Sequence, residues 1–254
     1  MPARGCYLYG IIRDPGDKDF GPIGLEVAGK PGRVHTLSVG SVAAVISDIP
    51  ADSNILPLRK NLDPHYRVIR EVMQASTIIP VTFGHVAKNR QQVERALQHN
   101  LAEIEAELDR LDGKVEMGLK VKWDIDNIFE YMVTSDQELS ERRDQIFGRS
   151  YAPSQREKLE LGQMFEKHLN REREDQTDRV VEAFRPCVCG VKVNPPKSDK
   201  SVMDIAFLVD RDNLKAFEER VYEVAGTFPS QFLFDYTGPL APFNFAALQL
   251  ETGR

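Results

Sequence analysis

The sequence GKVEMGLKVKWD, residues 113–124, decides the fold class of the second half of this chain. Its apolar residues fall at every second position, namely Val115, Met117, Leu119, Val121 and Trp123. This period of two predicts a β-strand with one buried face, because a helix would scatter the same residues around its circumference. The other face is expected to meet solvent, and it carries Lys114, Glu116, Lys120 and Lys122.

The same strand marks the start of a second domain. It follows a long polar helix whose apolar stripe runs from Val93 to Leu111, and it opens a second series of alternating elements. A chain of 254 residues can form two ordinary domains, each with its own core. We therefore predict an α+β protein with an N-terminal α+β domain over residues 1–111 and a C-terminal domain over residues 112–254.

The element order in the second half predicts a modified ferredoxin-like domain. After the first strand, helical sequence continues to about Phe184, and it includes a stretch at 170–179 without an apolar residue. That stretch predicts either a solvated helix or a break, because burying it would strand charges. Strands at 187–193 and 202–209, a helix ending at Gly226 and a strand at 231–236 complete the order βαββαβ, with extra helices in the first crossover.

The first half contains local signals for a small sheet with helices. Residues 6–12, CYLYGII, predict a buried strand, and Gly40-Ser41 predicts a hairpin turn between two short apolar runs. Asp63-Pro64 predicts a helix start, because Asp caps free N–H groups and Pro fits the first helical position. Asn89 with Gln92 predicts a capping box before the next helix.

Composition excludes several classes of protein. The formal net charge of −6 disfavours nucleic acid and anionic membranes as partners, unless the fold hides a basic patch. No apolar run approaches the roughly 20 residues of a membrane span, and the N-terminus lacks the apolar stretch of a signal peptide. Three cysteines, an odd number, do not indicate a disulfide framework. We expect a reduced, cytoplasmic protein.

The residues that could carry chemistry do not form a recognisable motif. The five histidines fall in separate elements, and His65 follows the predicted helix start. Asp124 and Asp126 are more simply explained as helix caps. Cys187 and Cys189 could ligate a metal, but zinc needs about four ligands, so both are expected in the core. We therefore predict no catalytic, cofactor-binding or metal-binding residues, and no enzyme activity.

The ordered set of motifs resembles the gas vesicle protein F/L family. The matching stretches span nearly the whole chain. They are residues 7–11 (YLYGI), 42–50 (VAAVISDIP), the helix around His65, 79–86 (IPVTFGHV), 113–123 (GKVEMGLKVKW), 201–210 and 236–245 (YTGPLAPFNF).

The resemblance implies an accessory or minor structural protein of the gas vesicle, a protein-walled organelle in the cytoplasm. Its implied partners are the apolar main shell protein and other gas vesicle accessory proteins, and its implied fold is two α+β domains, the second ferredoxin-like. No catalytic residue or cofactor comes with the family. The hypothesis is that the protein covers the apolar surface of the shell protein transiently and limits its aggregation, or helps to seat the subunit in the growing wall.

Two alternatives remain. A ferredoxin-like sheet also builds ligand-binding modules and small enzymes, so a site without a known motif is possible. A purely structural module without a chaperone role is the other. Two apolar stretches could meet a partner, the Phe243–Phe245 tail and the Leu97–Leu111 stripe, although each is expected to belong to the core.

Overall fold

The first strand, β1 (Arg4–Arg13), lies inside the first sheet. In the computed structural model, which describes residues 4–247 except 28, 52 and 151, all of its residues from 5 to 12 are buried. The predicted strand at 6–12 is therefore confirmed. Its branched and aromatic side chains suit a strand that is covered on both faces.

A six-stranded sheet forms around β1. Its order is β2-β5-β6-β1-β7, and β8 also pairs with β1. The predicted hairpin is confirmed, because Val39 pairs with Val42 across Gly40-Ser41. The strands are β2 (Asp19–Gly21), β5 (Val34–Val39), β6 (Val42–Pro50), β7 (Ile78–Pro80) and β8 (Val86–Ala87), and a separate ribbon pairs β3 (Glu26–Val27) with β4 (Lys30–Pro31).

Gly10 allows β1 to approach β7 closely. A Cβ atom at this position would lie 2.5 Å from the Ile78 side chain and 2.8 Å from the Ile79 carbonyl oxygen. Both distances are shorter than a carbon atom tolerates, so only glycine fits here. The register of β1 against β6 also shifts between Leu8 and Gly10, which is typical of a β-bulge.

The helix α1 (Arg59–Ala75) begins earlier than the Asp63-Pro64 signal predicted. Asp63 does not cap it, since its carboxylate pairs with Arg59 at 3.4 Å. Pro64 lies inside the helix, where its missing N–H forgoes one backbone hydrogen bond. A buried stripe on the opposite side compensates, and it consists of His65, Val68, Ile69, Val72 and Met73.

The single helix predicted up to Leu111 is two helices, α2 (Arg90–His99) and α3 (Leu101–Leu111). Asn100 separates them and donates its side-chain amide to the Ala96 carbonyl at 2.8 Å. Asn89 caps α2 as predicted, because its side chain accepts from Gln92 N–H at 2.9 Å. The predicted capping box does not close on Asn89, since Oε1 of Gln92 accepts from Lys88 N–H at 2.8 Å. The apolar stripe belongs to the core, with Leu97, Ile104, Leu108 and Leu111 all buried.

A four-stranded sheet in the order β10-β11-β9-β12 forms the second part of the fold. Its strands are β9 (Lys114–Trp123), β10 (Gly190–Asn194), β11 (Ser201–Asp210) and β12 (Phe232–Leu240). Its helices are α4 (Ile128–Ser135), α5 (Gln137–Phe147), α6 (Gln155–Phe184) and α7 (Leu214–Ala225), with 3-10 turns at Arg185–Cys187 and Arg211–Asn213. The odd positions of β9 are buried as predicted, and those from Met117 to Trp123 join a core with residues of all four helices.

The charged stretch at 170–179 stays helical, so α6 runs without a break. Arg173 explains how this segment is held. Its guanidinium donates to the backbone carbonyls of Ser201 at 2.8 Å, Ser198 at 3.0 Å and Asp199 at 3.0 Å, and it lies over the Trp123 ring. Burial lowers the pKa of Arg173, but the carbonyl oxygens satisfy its donors. No helix among the described residues has the length and apolarity needed to cross a membrane.

Contacts divide the described chain into two units. Residues 4–116 and 238–247 form the first unit, and residues 117–237 form the second. The predicted boundary lies after residue 111, whereas the observed one follows Glu116. Residues 238–247 were predicted in the second domain and belong to the first unit. Residues 1–3 and 248–254 lie outside the described residues. The boundary signal in the sequence was the start of β9, whereas residues 238–247 join the first unit through distant contacts described below.

We predict that Phe184→Ala destabilises the second unit by about 3–5 kcal/mol, because Phe184 is fully buried against Phe207 and Phe217. The fluorescence of Trp123, which is the only tryptophan and is buried, reports urea unfolding of this unit. The control Phe147→Ala, at a 56% exposed side chain, should change stability by less than about 0.5 kcal/mol. Equal unfolding midpoints for the two variants would contradict this account of the core.

Candidate functional site

A small apolar groove lies along the exposed side of α1, within the first unit. Its volume is about 180 Å³, and residues 239–243 form its second wall. Tyr66 and Leu240 are large apolar residues at the groove that remain 49% and 43% exposed. The groove is lined by Tyr66, Ile69, Arg70, Met73, Pro239, Leu240, Ala241 and Phe243.

The helical period places the α1 side of the groove. Tyr66 and Arg70 are four residues apart, and so are Ile69 and Met73, so each pair stacks along one side of the helix. Ile69 and Met73 point toward the core and form the floor, whereas Tyr66 and Arg70 are exposed and form the rim. The groove therefore has an apolar interior and one positive charge at its edge.

Glu116 holds the second wall in place. It was expected to face solvent, and that prediction is wrong, because the residue is only 5% exposed. One carboxylate oxygen accepts from the Asn244 backbone N–H at 2.7 Å, and the other accepts from the Asn244 side-chain amide at 2.7 Å. The period of β9 could not reveal this role, because the partner lies 128 residues further along the chain.

A second pair of charges on α3 binds the backbone just beyond Asn244. Arg110 donates to the Phe245 carbonyl at 2.5 Å, and Glu107 accepts from the Ala247 N–H at 3.0 Å. The two side chains also pair with each other at 2.7 Å, which lowers the pKa of Glu107 and raises that of Arg110. The Phe243 ring of this tail packs toward α1, with its centroid 5.7 Å from that of Tyr66.

A buried aromatic network lies behind the rim of the groove. The ring of Tyr66 is 5.2 Å from that of His65, and the hydroxyl of Tyr7 is 2.9 Å from Nδ1 of His65. The Tyr7 hydroxyl accepts from Gly84 N–H at 3.1 Å, so we assign its own proton to the bond with Nδ1. His65 is then neutral with its proton on Nε2, which is buried. Burial lowers the pKa of His65 to about 4.

Tyr9 extends the network toward β6. Its ring stacks on His65 with centroids 5.7 Å apart, and its hydroxyl lies 3.0 Å from the Ser47 hydroxyl and accepts from Leu25 N–H at 2.9 Å. Burial raises the pKa of both Tyr7 and Tyr9. The network is therefore neutral at physiological pH, and it joins the packing behind the groove to the centre of the first sheet.

A second cavity, of about 280 Å³, lies elsewhere in the first unit. Its walls come from the β3 region and from the connection after β6, and Glu26 is its only ionisable lining residue. The lining also contains the hydroxyl of Ser53, but no second acid–base group. The arrangement does not meet the geometric requirement for a nucleophile with a base and an orienting group.

The paired acidic residues noted in the sequence are not helix caps. Asp124 and Asp126 are both exposed, and the side chain of Asn127 caps α4 by accepting from Glu130 N–H at 3.2 Å. Asn and Asp are both good caps, so composition alone could not choose between neighbouring positions.

The two cysteines near β10 have different surroundings. Cys187 is half-buried, whereas Cys189 is exposed with its thiol 3.2 Å from an Asp210 carboxylate oxygen, so the expectation of a core position is wrong for Cys189. The reason is that β10 begins only at Gly190 and does not carry the pair. In the part of the chain that the structure describes, no three His, Cys, Asp or Glu side chains are placed to hold a metal ion.

The predicted partner stretches had different outcomes. The Leu97–Leu111 stripe is core, as expected. The tail, also expected in the core, is only half-buried, and its Phe243 lines the groove. The groove itself was not predicted, although the predicted α1 stripe and the apolar tail supply its two walls. The contacts of Glu116 with Asn244 and of Tyr66 with Phe243 show that the walls belong together.

We predict that Glu116→Gln loosens the tail. A glutamine presents one acceptor and one NH₂ group, so one donor of Asn244 loses its partner and the bond to a charged group is lost, which costs about 1.5–3 kcal/mol. Amide hydrogen exchange of residues 243–247 should accelerate accordingly. The control Glu103→Gln, at an exposed position, should leave hydrogen exchange of the tail as in the wild type. If the tail exchanges equally fast in both variants, Glu116 does not hold the tail.

We predict that His65 makes the first unit less stable at acidic pH. Its pKa is depressed in the folded state, so the unfolded chain binds the proton first as the pH falls from about 6.5 to about 4. The contribution of His65 to the free energy of unfolding is fully present well above pH 6.5, and it is about 2 kcal/mol smaller at pH 5 than at pH 7.

The measurement compares wild type with His65→Asn, which removes this proton-binding group, by hydrogen exchange of β1 amides at the two pH values. The exposed residue His99 supplies the control, His99→Asn, which should keep the pH dependence of the wild type. An NMR titration in which the His65 ring has a midpoint near 6.5 would refute the assignment of a depressed pKa.

Comparison with known proteins places the chain in a family. The profile described as gas vesicle synthesis protein GvpL/GvpF matches residues 5–247. Gas vesicle protein F of Nostoc sp. is 28% identical over 249 residues, covering 97% of this chain and 99% of that protein. Gas vesicle protein L of a Streptomyces species is 26% identical over 270 residues, covering 96% and 94%.

The fold agrees with that assignment. The crystal structure of the gas vesicle protein GvpF from Anabaena sp. PCC7120 superposes with a TM-score of 0.81 at 27% identity, over 96% of this chain and 99% of the other. Its mixed helix and sheet content is shared by this chain. The sequence profile, the relatives and the fold agree over nearly the full length, and this chain therefore belongs to the gas vesicle synthesis protein GvpL/GvpF family.

Proposed function

We propose that this protein is an accessory component of the gas vesicle that binds the apolar main shell protein during assembly and limits its aggregation. Membership of the family connects the chain with gas vesicles. The single observation that supports the binding role is the apolar groove on α1, which leaves Tyr66 and Leu240 half-exposed on its two walls.

The physical problem is one of solubility. A subunit that forms a gas-facing wall exposes a large apolar area before it assembles, and such areas associate unspecifically in water. A partner with a small apolar groove and a charged exterior can cover part of that area without aggregating itself. The net charge of −6 keeps the complex apart from other copies.

We also propose the site of action and the partners. The protein works on gas vesicles within the cytoplasm, together with the shell protein and other accessory proteins of the vesicle. The role requires no catalysis or bound cofactor. In support of a role without catalysis, each of the two cavities described above has one charged lining residue. It is Glu26 in the larger cavity and Arg70 in the α1 groove.

We infer that the second unit is a modified ferredoxin-like domain, with α4, α5 and α6 filling its first crossover. The sheet order β10-β11-β9-β12 supports this inference. If β9 is the first strand of a βαββαβ unit, the order is second, third, first and fourth, which is the ferredoxin-like order. The antiparallel pairing of β10 with β11 is consistent with the short connection between them.

We predict that the purified chain suppresses aggregation of the shell subunit. When the subunit is diluted from denaturant, an equimolar amount of the chain should lower light scattering by more than half, because bound subunits no longer expose their apolar surface. An unrelated acidic protein of similar size serves as the control. The same mixture is tested by pull-down through a tag on this chain.

Two outcomes would count against the proposal. The first is absence of shell-protein binding, both alone and with the other vesicle proteins present. The second outcome concerns the role. If the chain binds only to finished vesicles, stays on them through washing and does not change light scattering, it is a structural module without a chaperone function.

A further inference from the structure

We infer that the α1 groove is the surface that holds the shell subunit, and that its occupant is an apolar segment with a carboxylate next to its apolar side chains. The inference rests on the proposed function and adds to it a location and a chemical description of the bound segment.

The size of the groove fits side chains of a protein and not a cofactor. Small-molecule sites usually enclose about 300–1,000 Å³, whereas this groove has about 180 Å³. Such a volume suits about one or two apolar side chains inserted from a partner, as in the anchor pockets of protein interfaces. The groove also contains Met73, whose flexible side chain adapts to irregular shapes.

The charges along α1 select for a carboxylate. Although the whole chain has a net charge of −6, this helix carries four basic residues, Arg59, Lys60, Arg67 and Arg70, against two acidic ones, Asp63 and Glu71. The helix is therefore a positive strip on an acidic protein, and its charge complements that of an acidic segment.

Arg70 is the cation available to that segment. Arg59 pairs with Asp63, and Arg67 donates to the Ile23 carbonyl at 3.1 Å. Arg70 is exposed and makes no ion pair or hydrogen bond with the residues that the structure describes. A guanidinium beside an apolar groove can bind a carboxylate through two parallel hydrogen bonds while the neighbouring side chains enter the groove.

The second wall is fixed before a partner arrives. Glu116 and Arg110 hold the backbone at Asn244 and Phe245, and the Phe243 ring rests against Tyr66. A wall that is already ordered does not lose that conformational freedom on binding, which favours affinity for a short segment. The groove is therefore a preformed site and not a gap closed by the partner.

The test uses overlapping fluorescent peptides that cover the shell subunit, titrated with the full-length chain. Wild type should bind a peptide that has an acidic residue next to apolar residues. Leu240→Asp should weaken this binding roughly tenfold or more, because a charge enters the apolar wall. Arg70→Glu should weaken it about threefold to tenfold at low salt, with a smaller difference at high salt.

Matched controls use the same substitutions elsewhere. Leu159→Asp, at a 62% exposed side chain on α6, and Arg95→Glu, at an exposed position on α2, should bind as wild type does. A peptide in which the acidic residue is replaced by its amide should bind wild type more weakly than the acidic peptide does. The two peptides should bind Arg70→Glu with the same affinity. Hydrogen exchange of residues 243–247 checks that the groove variants keep the tail in place.

The outcomes separate the two proposals. If wild type binds the shell subunit and both groove variants bind it equally well, the groove assignment is wrong and the proposed function stands. If wild type does not bind the subunit, both fail. Two further results would overturn the inference, each in the absence of peptide binding. If the chain binds phosphatidylserine vesicles in a way that depends on Leu240 and Arg70, the groove belongs to a lipid surface. If it dimerises in sedimentation equilibrium with the same dependence, the groove belongs to a second copy.

Discussion

The carboxylate of Glu116, bound to both the backbone and the side chain of Asn244, is the contact on which the candidate site depends. A buried carboxylate is unfavourable unless its oxygens are hydrogen-bonded, and here each oxygen accepts a bond of 2.7 Å. Residues 238–247, which are the end of β12 and the tail after it, belong to the first unit. Glu116 on β9 holds this second wall of the groove together with Glu107 and Arg110 on α3.

The other wall depends on the buried network behind α1. Tyr7 and Tyr9 on β1 surround His65, and each tyrosine hydroxyl has a polar partner inside the core. Because the three rings are neutral and buried, they pack as core residues while still orienting one another by hydrogen bonds. This packing fixes α1 on the sheet and directs Tyr66 outward to the rim. The YLYGI stretch thus has a physical role in the fold, and Gly10 supplies the close approach to β7.

These features connect the family assignment with a physical hypothesis. A gas vesicle protein that handles an apolar subunit needs an exposed apolar surface that is too small to cause its own aggregation. The α1 groove has that property, with half-exposed apolar residues on both walls and a cation at its edge. The larger cavity near β3 lacks a comparable combination, since Glu26 is its only charged lining residue.

Elements with a regular local period were predictable from the sequence. The buried face of β9, the hairpin at Gly40-Ser41 and the cap at Asn89 depend on neighbouring residues, so the signal is contained in short windows. Helix ends were less predictable. Asp63-Pro64 has the composition of a start, yet α1 begins at Arg59, because packing of its stripe outweighs one backbone bond lost at Pro64.

By itself, the sequence determined the mixed helix and sheet content, most of the strands and, through its ordered motifs, the family. Only the tertiary structure decided that Glu116 is buried, that Cys189 is exposed, and that α1 and the C-terminal tail form one groove. The physical reason is distance along the chain. Periodicity reports which face of an element is apolar, whereas the partner of a polar side chain can lie 128 residues away, where no local pattern records it.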